Sequence, residues 1–193
     1  MLELVCATSN PNKLLEFQQA SGSDVLVRGC EPQDCPETTD SFEGNALQKA
    51  YCYSRGNNSE WLFADDSGLV VDALAGAPGV HSARFAGEPG NYAANNRLLL
   101  RRLAGVRRRD RRARFVCCIA LLHRGSLAAT FRGEVEGLIL QRQSGEQGFG
   151  YDPVFYYPRL RTSFGRLSRG EKWNHSHRGR AYRAMLRWIR AQL

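Results

Sequence analysis

The chain has 193 residues and a net charge of +8, from 27 basic and 19 acidic residues with the four histidines counted neutral. That length suits one domain that buries roughly two-thirds of its unfolded surface, and no apolar run nears the roughly 18 residues of a membrane span or follows a basic leader, so we expect a soluble, cytoplasmic protein. The six cysteines, at 6, 30, 35, 52, 117 and 118, show no CxxC spacing, which points to neither a zinc site nor a disulfide framework.

Met1 to Thr8 reads as a first strand, and Ser9-Asn10-Pro11 opens a helix over about 11–20, with Asn10 as cap and Pro11 at its first position. A short strand follows at 24–28. A second helix starts near Asp40-Ser41, with Glu43 placed to complete a capping box and Ala46, Leu47, Ala50 and Tyr51 turned inward. A strand at 61–64 runs into an acidic corner, Asp65-Asp66-Ser67-Gly68, and a further strand at 69–72 follows. Residues 75–79 form a loop, 90–103 a helix and 107–112 an arginine-rich loop. The runs 113–123 and 127–140 read as a hairpin, 145–152 as a loop, 153–156 as a strand and 176–191 as a last amphipathic helix. Early alternation of strand and helix with a later hairpin predicts an α/β fold with a mixed sheet.

The acidic corner carries the strongest chemical signal. Neighbouring carboxylates repel and prefer water or a cation to a protein interior. On a strand they face opposite ways, so one can anchor the structure while the other meets a ligand. An exposed Asp-Asp-Ser-Gly turn is the plain alternative. Thr8-Ser-Asn-Pro-Asn-Lys13 is a strand-to-helix junction whose N–H groups, hydroxyls and Lys13 suit a phosphate, although simple capping explains it as well. It is not a P-loop, because no GxxxxGK[ST] pattern occurs.

Acids recur every third residue at Glu31, Asp34, Glu37, Asp40 and Glu43. Asp40 and Glu43 have a capping explanation. Glu37 has none, which makes it the candidate partner of Asp66 around a magnesium ion, against the alternative of a solvated acidic loop. In Gln147-Gly-Phe-Gly-Tyr-Asp-Pro153 the glycines open the backbone to close approach and Phe149 could stack on a nucleobase. In Glu171-Lys-Trp-Asn-His-Ser-His-Arg178, basic residues at the start of the last helix oppose its dipole, a cost that invites an acceptor-rich ligand. His175 and His177, two apart, make a poor metal pair. Only three of the basic residues are lysine, at 13, 49 and 172. A compact ammonium and a planar guanidinium are not interchangeable at a phosphate.

These segments together resemble the inosine/xanthosine triphosphate pyrophosphatase family. The matching pieces are TSNPNK (8–13), FEGNALQKA (42–50), FADDSGLVVDALAGAPGVHSARF (63–85), GFGYDPVF (148–155) and EKWNHSHRGRA (171–181), and all three lysines fall inside them. The resemblance implies an elongated two-lobed α/β fold with a central mixed sheet flanked by helices and a cleft between lobes, usually dimeric. It implies magnesium-dependent attack of water on a nucleoside triphosphate, giving monophosphate and pyrophosphate. It assigns Asp66 as general base and metal ligand, Glu37 as second metal ligand and Asp65 as support. Thr8, Ser9, Asn10, Pro11, Asn12, Lys13, Lys49 and Ser67 would line the triphosphate. Arg84, Phe149, Gly150, Tyr151, Asp152, Lys172, His177 and Arg178 would contact the nucleotide. One position departs from the pattern: many members carry an acid where this chain has Gly44, and Glu43 one residue earlier points roughly 100° away on a helix.

Two readings compete with it. One is a pyrophosphatase for another modified nucleotide. The other is a nucleic-acid-binding protein using Arg101, Arg102 and the arginines of 107–114, which lack interleaved aromatic residues.

Overall fold

A computed structural model describes all 193 residues. β1 (Leu2–Ala7) leads through α1 (Pro11–Ala20) to β2 (Val25–Gly29), and the two strands pair in parallel with Leu2 opposite Val25. α2 (Phe42–Ser54) then returns the chain to β3 (Trp61–Val71), parallel to β1 with Ala7 opposite Ala64. After α3 (Tyr92–Arg102) come β4 (Arg112–His123) and β5 (Ser126–Ile139). Arg124 and Gly125, at φ 50° and 78°, form the two-residue turn between them, the backbone signs of a type I′ hairpin. β6 (Phe155–Tyr157) pairs antiparallel with β5, and β7 (Thr162–Ser163) antiparallel with β6. α4 (Arg169–His175) and α5 (His177–Arg190) end the chain. The seven strands form one mixed sheet in the order β2-β1-β3-β4-β5-β6-β7. β4 is buried from Phe115 to Leu122 with no alternation, as expected of a strand covered on both faces.

Two compact units divide the chain: Met1–Asp66, Cys117–Gly133 and His177–Leu193 form the first, Ser67–Val116 and Glu134–Ser176 the second. In the first unit Phe17 stacks edge-on against Phe63 at 5.0 Å between ring centres and touches Tyr182 at 5.1 Å. α5 lies close on β5, because a Cβ at Gly133 would fall 2.2 Å from the His177 carbonyl oxygen and 2.7 Å from the Ala181 nitrogen. In the second unit Phe115, Phe155 and Phe164 form the aromatic centre, Phe155 lying 4.5 Å from Phe115 and 5.0 Å from Phe164.

The structure differs from the sequence expectation at several points. The acidic corner is no turn: Asp65 to Gly68 continue β3 as strand, since ionic and amide partners meet an oxygen of each carboxylate in place. Cys35 and Cys52 form a disulfide, Cα atoms 5.9 Å apart. The capping box at α2 does not form, because Ser41 caps the Gly44 N–H at 3.1 Å and Glu43 accepts a hydrogen bond from Thr130 on β5 at 2.9 Å. α4, with a capping box between Ser168 and Glu171, and β7 went unrecognised. The arginine-rich loop is not all solvated: Arg111 is buried and donates to the carbonyls of Leu103, Val106 and Leu140.

Candidate functional site

The first unit gathers a dense ionic cluster where β1 ends and its parallel pairing with β3 stops. Parallel pairing sets Asp65 and Asp66 level with the Thr8 junction, because Ala7 faces Ala64. Strand alternation then separates the two acids. Asp65, 1% exposed, receives the Lys13 ammonium at 2.9 Å and faces Arg178 Nε at 3.5 Å. Burial raises its pKa, but the charges of Lys13, Arg178 and Lys49 outweigh burial and hold it well below the usual carboxylate range. Asp65 is the anchor.

Asp66 points the other way and receives Nδ2 of Asn45 on Oδ2 at 3.2 Å. Burial raises its pKa, Lys13 and Lys49 pull against that, Glu37 adds to it, and the net shift is upward. Lys49 on α2 joins the cluster by donating to the Asp65 carbonyl at 3.1 Å and pairing with Glu37. Burial lowers the Lys49 pKa, but Glu37, Asp65 and Asp66 reverse that and keep it charged. Glu37, Lys49, Lys13, Asp65 and Asp66 therefore form one group.

The Thr8–Lys13 segment behaves as a cap. Oδ1 of Asn10 accepts from the Asn12 and Lys13 N–H groups at 3.0 and 3.4 Å, and Thr8 Oγ1 accepts from the Asn10 N–H at 3.2 Å. Those N–H groups are thus engaged, and an anion here would meet the Lys13 ammonium rather than bare helix N–H groups. Ser9 and Pro11 are exposed, Ser67 lies in β3 directly after Asp66, and His177 is buried at the start of α5. Arg178, 2% exposed, bonds Glu16 on α1 at 2.6 Å through Nη1. Burial opposes its charge, but Glu16 and Asp65 more than restore it. The charge that opposes the α5 dipole is met by internal acids. Neither Glu16 nor Asn45 had been assigned a role; a polar residue between the inward Phe42 and Ala46 of α2 was the available signal for Asn45.

A second cluster lies in the second unit. Gly148 and Gly150 have φ of 75° and 63°, and a Cβ on Gly148 would stand 2.1 Å from Asp152 Oδ2. That oxygen accepts from the Phe149 N–H at 2.8 Å and from the Lys172 ammonium at 2.6 Å. Lys172 Nζ lies 4.5 Å from the centre of the Phe149 ring, a cation–π contact. The sequence reading set Lys172 among the nucleotide contacts; in the structure its ammonium bonds Asp152 and lies against the Phe149 ring. Asn96 holds the Gly150 carbonyl at 2.9 Å, and the buried Tyr151 hydroxyl donates to the Ser82 carbonyl at 2.9 Å. Arg84 ends the turn Gly79–Arg84, half-buried. Each of the three lysines thus has a carboxylate partner: Asp65, Glu37 and Asp152.

No group of three or more His, Cys, Asp or Glu side chains converges as a metal site. Asp66 and Glu37 are two carboxylates that could hold a magnesium ion bringing its remaining ligands with it, since Mg²⁺ is commonly held by one or two carboxylates plus substrate phosphates and water. No helix is long and apolar enough to cross a membrane.

Carboxylates and ammonium groups meet just beyond the last parallel pair of β1 and β3, in an α/β protein with a mixed sheet. The chain belongs to the Ham1 family, whose sequence profile matches residues 4–188. It is 44% identical over 185 residues to the dITP/XTP pyrophosphatase of Desulforamulus reducens, covering 93% of this chain and 92% of that protein. It is 43% identical to the dITP/XTP pyrophosphatase of Bacillus licheniformis, covering 96% of each. The structure superposes on the Staphylococcus aureus Ham1 protein with a TM-score of 0.87 at 37% identity, over 99% of this chain and 100% of that one. A HAM1 protein from Coxiella burnetii gives 0.86 at 34%, with the same coverage.

Proposed function

We propose that this chain is a single pyrophosphatase domain that hydrolyses deaminated purine nucleoside triphosphates (ITP, dITP and XTP) to the monophosphate and pyrophosphate. The observation that carries the reading is the Asp66–Glu37–Lys49–Lys13 cluster in a chain 44% identical to a dITP/XTP pyrophosphatase. Asp66 and Glu37 would hold Mg²⁺. When bound, that ion neutralises phosphate charge and makes a coordinated water more acidic.

Water adds across the anhydride between the α and β phosphates: its oxygen bonds to phosphorus, the bridging P–O bond breaks and pyrophosphate leaves. Asp66 takes the water's proton, a role favoured by the upward shift that burial gives its pKa. Lys13 and Lys49 exchange part of their contact with Asp65 and Glu37 for phosphate oxygens, which places positive charge where the leaving group gains negative charge. Asp65 stays ionised as the support.

Phe149, held from below by Lys172, offers a stacking face for the base. Hypoxanthine and xanthine present acceptors at O6 and N7, which call for hydrogen-bond donors. Adenine would set its amino group against them. A homodimer, cytoplasmic location and Mg²⁺ dependence belong to the same proposal.

The arginine loop gives little to a nucleic-acid reading, since Arg107 pairs with Asp110, Arg114 with Asp72, and Arg111 is committed to carbonyls. The test is turnover of inosine, xanthosine, adenosine and guanosine triphosphates with Mg²⁺, products resolved by chromatography. Monophosphate and pyrophosphate from the first two, with little from the others, is the expected result. Intact triphosphates throughout would refute the reading, and turnover of adenosine triphosphate alone would refute the selectivity.

A further inference from the structure

Asn45 is 1% exposed, yet it sits on the face of α2 that also buries Phe42, Ala46 and Ala50. A buried amide persists only when both of its ends find partners. Its Oδ1 accepts from the Thr39 backbone N–H at 3.0 Å and lies 2.9 Å from Thr39 Oγ1. Its Nδ2 donates to Asp66 Oδ2 at 3.2 Å. A backbone N–H can only donate, so the oxygen end of Asn45 must face Thr39 and the amino end must face Asp66. The amide cannot flip without setting donor against donor at one end and oxygen against oxygen at the other.

We propose that Asn45 is a positioning residue for Asp66, and that Thr39 fixes the sense in which Asn45 acts. The inference rests on the pyrophosphatase reading above. By engaging Oδ2, Asn45 sets the plane of the Asp66 carboxylate. A carboxylate that hydrolyses through one water and helps to hold one cation depends on that plane, because displacement of the order of 1 Å at a reacting group can cost about a hundredfold in rate. Thr39 belongs to the same segment as Glu37, and Lys49 lies one turn beyond Asn45, so the same short stretch of chain aims the base and carries the second acid.

The variants are Asn45→Ala, Thr39→Val and Thr39→Ser, each first shown to be folded by circular dichroism. Steady-state hydrolysis of inosine triphosphate with saturating Mg²⁺ is measured, together with Mn²⁺ binding without nucleotide by electron paramagnetic resonance. Asn45→Ala is expected to lower kcat by about 10- to 100-fold with KM within about threefold, and to weaken Mn²⁺ binding several-fold. Thr39→Val keeps the backbone donor and should lose about three- to tenfold in kcat, which Thr39→Ser restores. An Asn45→Ala enzyme with a raised KM and an intact kcat overturns the positioning role, as does one with unchanged kcat and Mn²⁺ affinity. If Asn45→Ala fails to fold, Asn45→Asp, which keeps an oxygen toward Thr39 but loses the Nδ2 donor, is measured in its place, and unchanged kcat and Mn²⁺ affinity in it overturn the role. A wild-type chain that hydrolyses no triphosphate removes the underlying reading, and this inference with it.

Discussion

Reduction of the Cys35–Cys52 bond should lower stability by about 3 kcal/mol, the chain-entropy value for a loop closed across a separation of 17 residues. The native structure gives little reason for a larger loss. The segment before α2 is also held by Glu37 to Lys49, by Thr38 and Gln48 bonding each other at 3.1 and 3.0 Å, by Thr39 to Asn45, and by the Gln33 N–H to the Tyr53 hydroxyl at 3.1 Å. Those contacts survive loss of the sulfur bridge, so the change falls mainly on the unfolded chain, which gains the freedom the bridge denied it. For a chain of this length, about 3 kcal/mol corresponds to a fall in Tm of about 6–12 °C. Urea unfolding of the oxidised protein, the reduced protein and the Cys35→Ser/Cys52→Ser variant checks this, with thiol content fixed by mass. Reduced protein and double variant should share one midpoint, below that of the oxidised form, and show a larger m-value as the unfolded state expands. Identical midpoints for oxidised and reduced protein would refute the reasoning.

Two further outcomes follow from the first unit. Burial raises the Tyr182 hydroxyl to about 12, despite the hydrogen bond of 2.6 Å with Ser21. A buried neutral phenol stabilises the fold fully below its unfolded pKa near 10, and that contribution disappears as pH rises to about 12, a loss of about 2–3 kcal/mol. Urea midpoints across pH 8–12 should therefore fall less steeply in Tyr182→Phe, though that variant starts about 1 kcal/mol lower at pH 8; parallel alkaline limbs would count against the assignment. Gly133→Ala should cost about 1–3 kcal/mol, since its methyl meets backbone atoms of α5 rather than a movable side chain. A wild-type urea midpoint in that variant would show that α5 can shift at no cost.

Local chemistry was legible in the sequence at several points where neighbours along the chain decide it, though the Ser168–Glu171 capping box of α4 was missed. Asn10 caps α1 and the β4–β5 hairpin turns where its glycine predicted. The opposed directions of Asp65 and Asp66 follow from strand alternation alone. What was not legible depends on distant partners. Glu43 looked like half of a capping box until its actual partner proved to be Thr130, 87 residues away. Arg178 meets Glu16 across 162 residues, and no spacing rule reports that pairing. The disulfide joins two cysteines whose separation carries no motif, and only the docking of one segment on α2 brings them together. The acidic corner was misread because Asp-Asp-Ser-Gly is favourable turn chemistry; the ion pairs that hold it extended come from α1 and α5.

The space beside Gly44 is already taken. A Cβ there would stand 2.4 Å from Thr39 Oγ1, 2.8 Å from Ser41 Oγ and 3.0 Å from Thr39 Cβ. A hydroxyl at 39 and any side chain at 44 compete for one volume, so the two positions are epistatic. Enlarging 44 first drives Thr39 to another rotamer, whereas trimming 39 first opens room that 44 can then fill. Of the two mutational orders, the second is the less crowded, leaving chiefly Ser41 Oγ at 2.8 Å to yield, and an acid can be introduced at 44 more readily on a background already changed at 39.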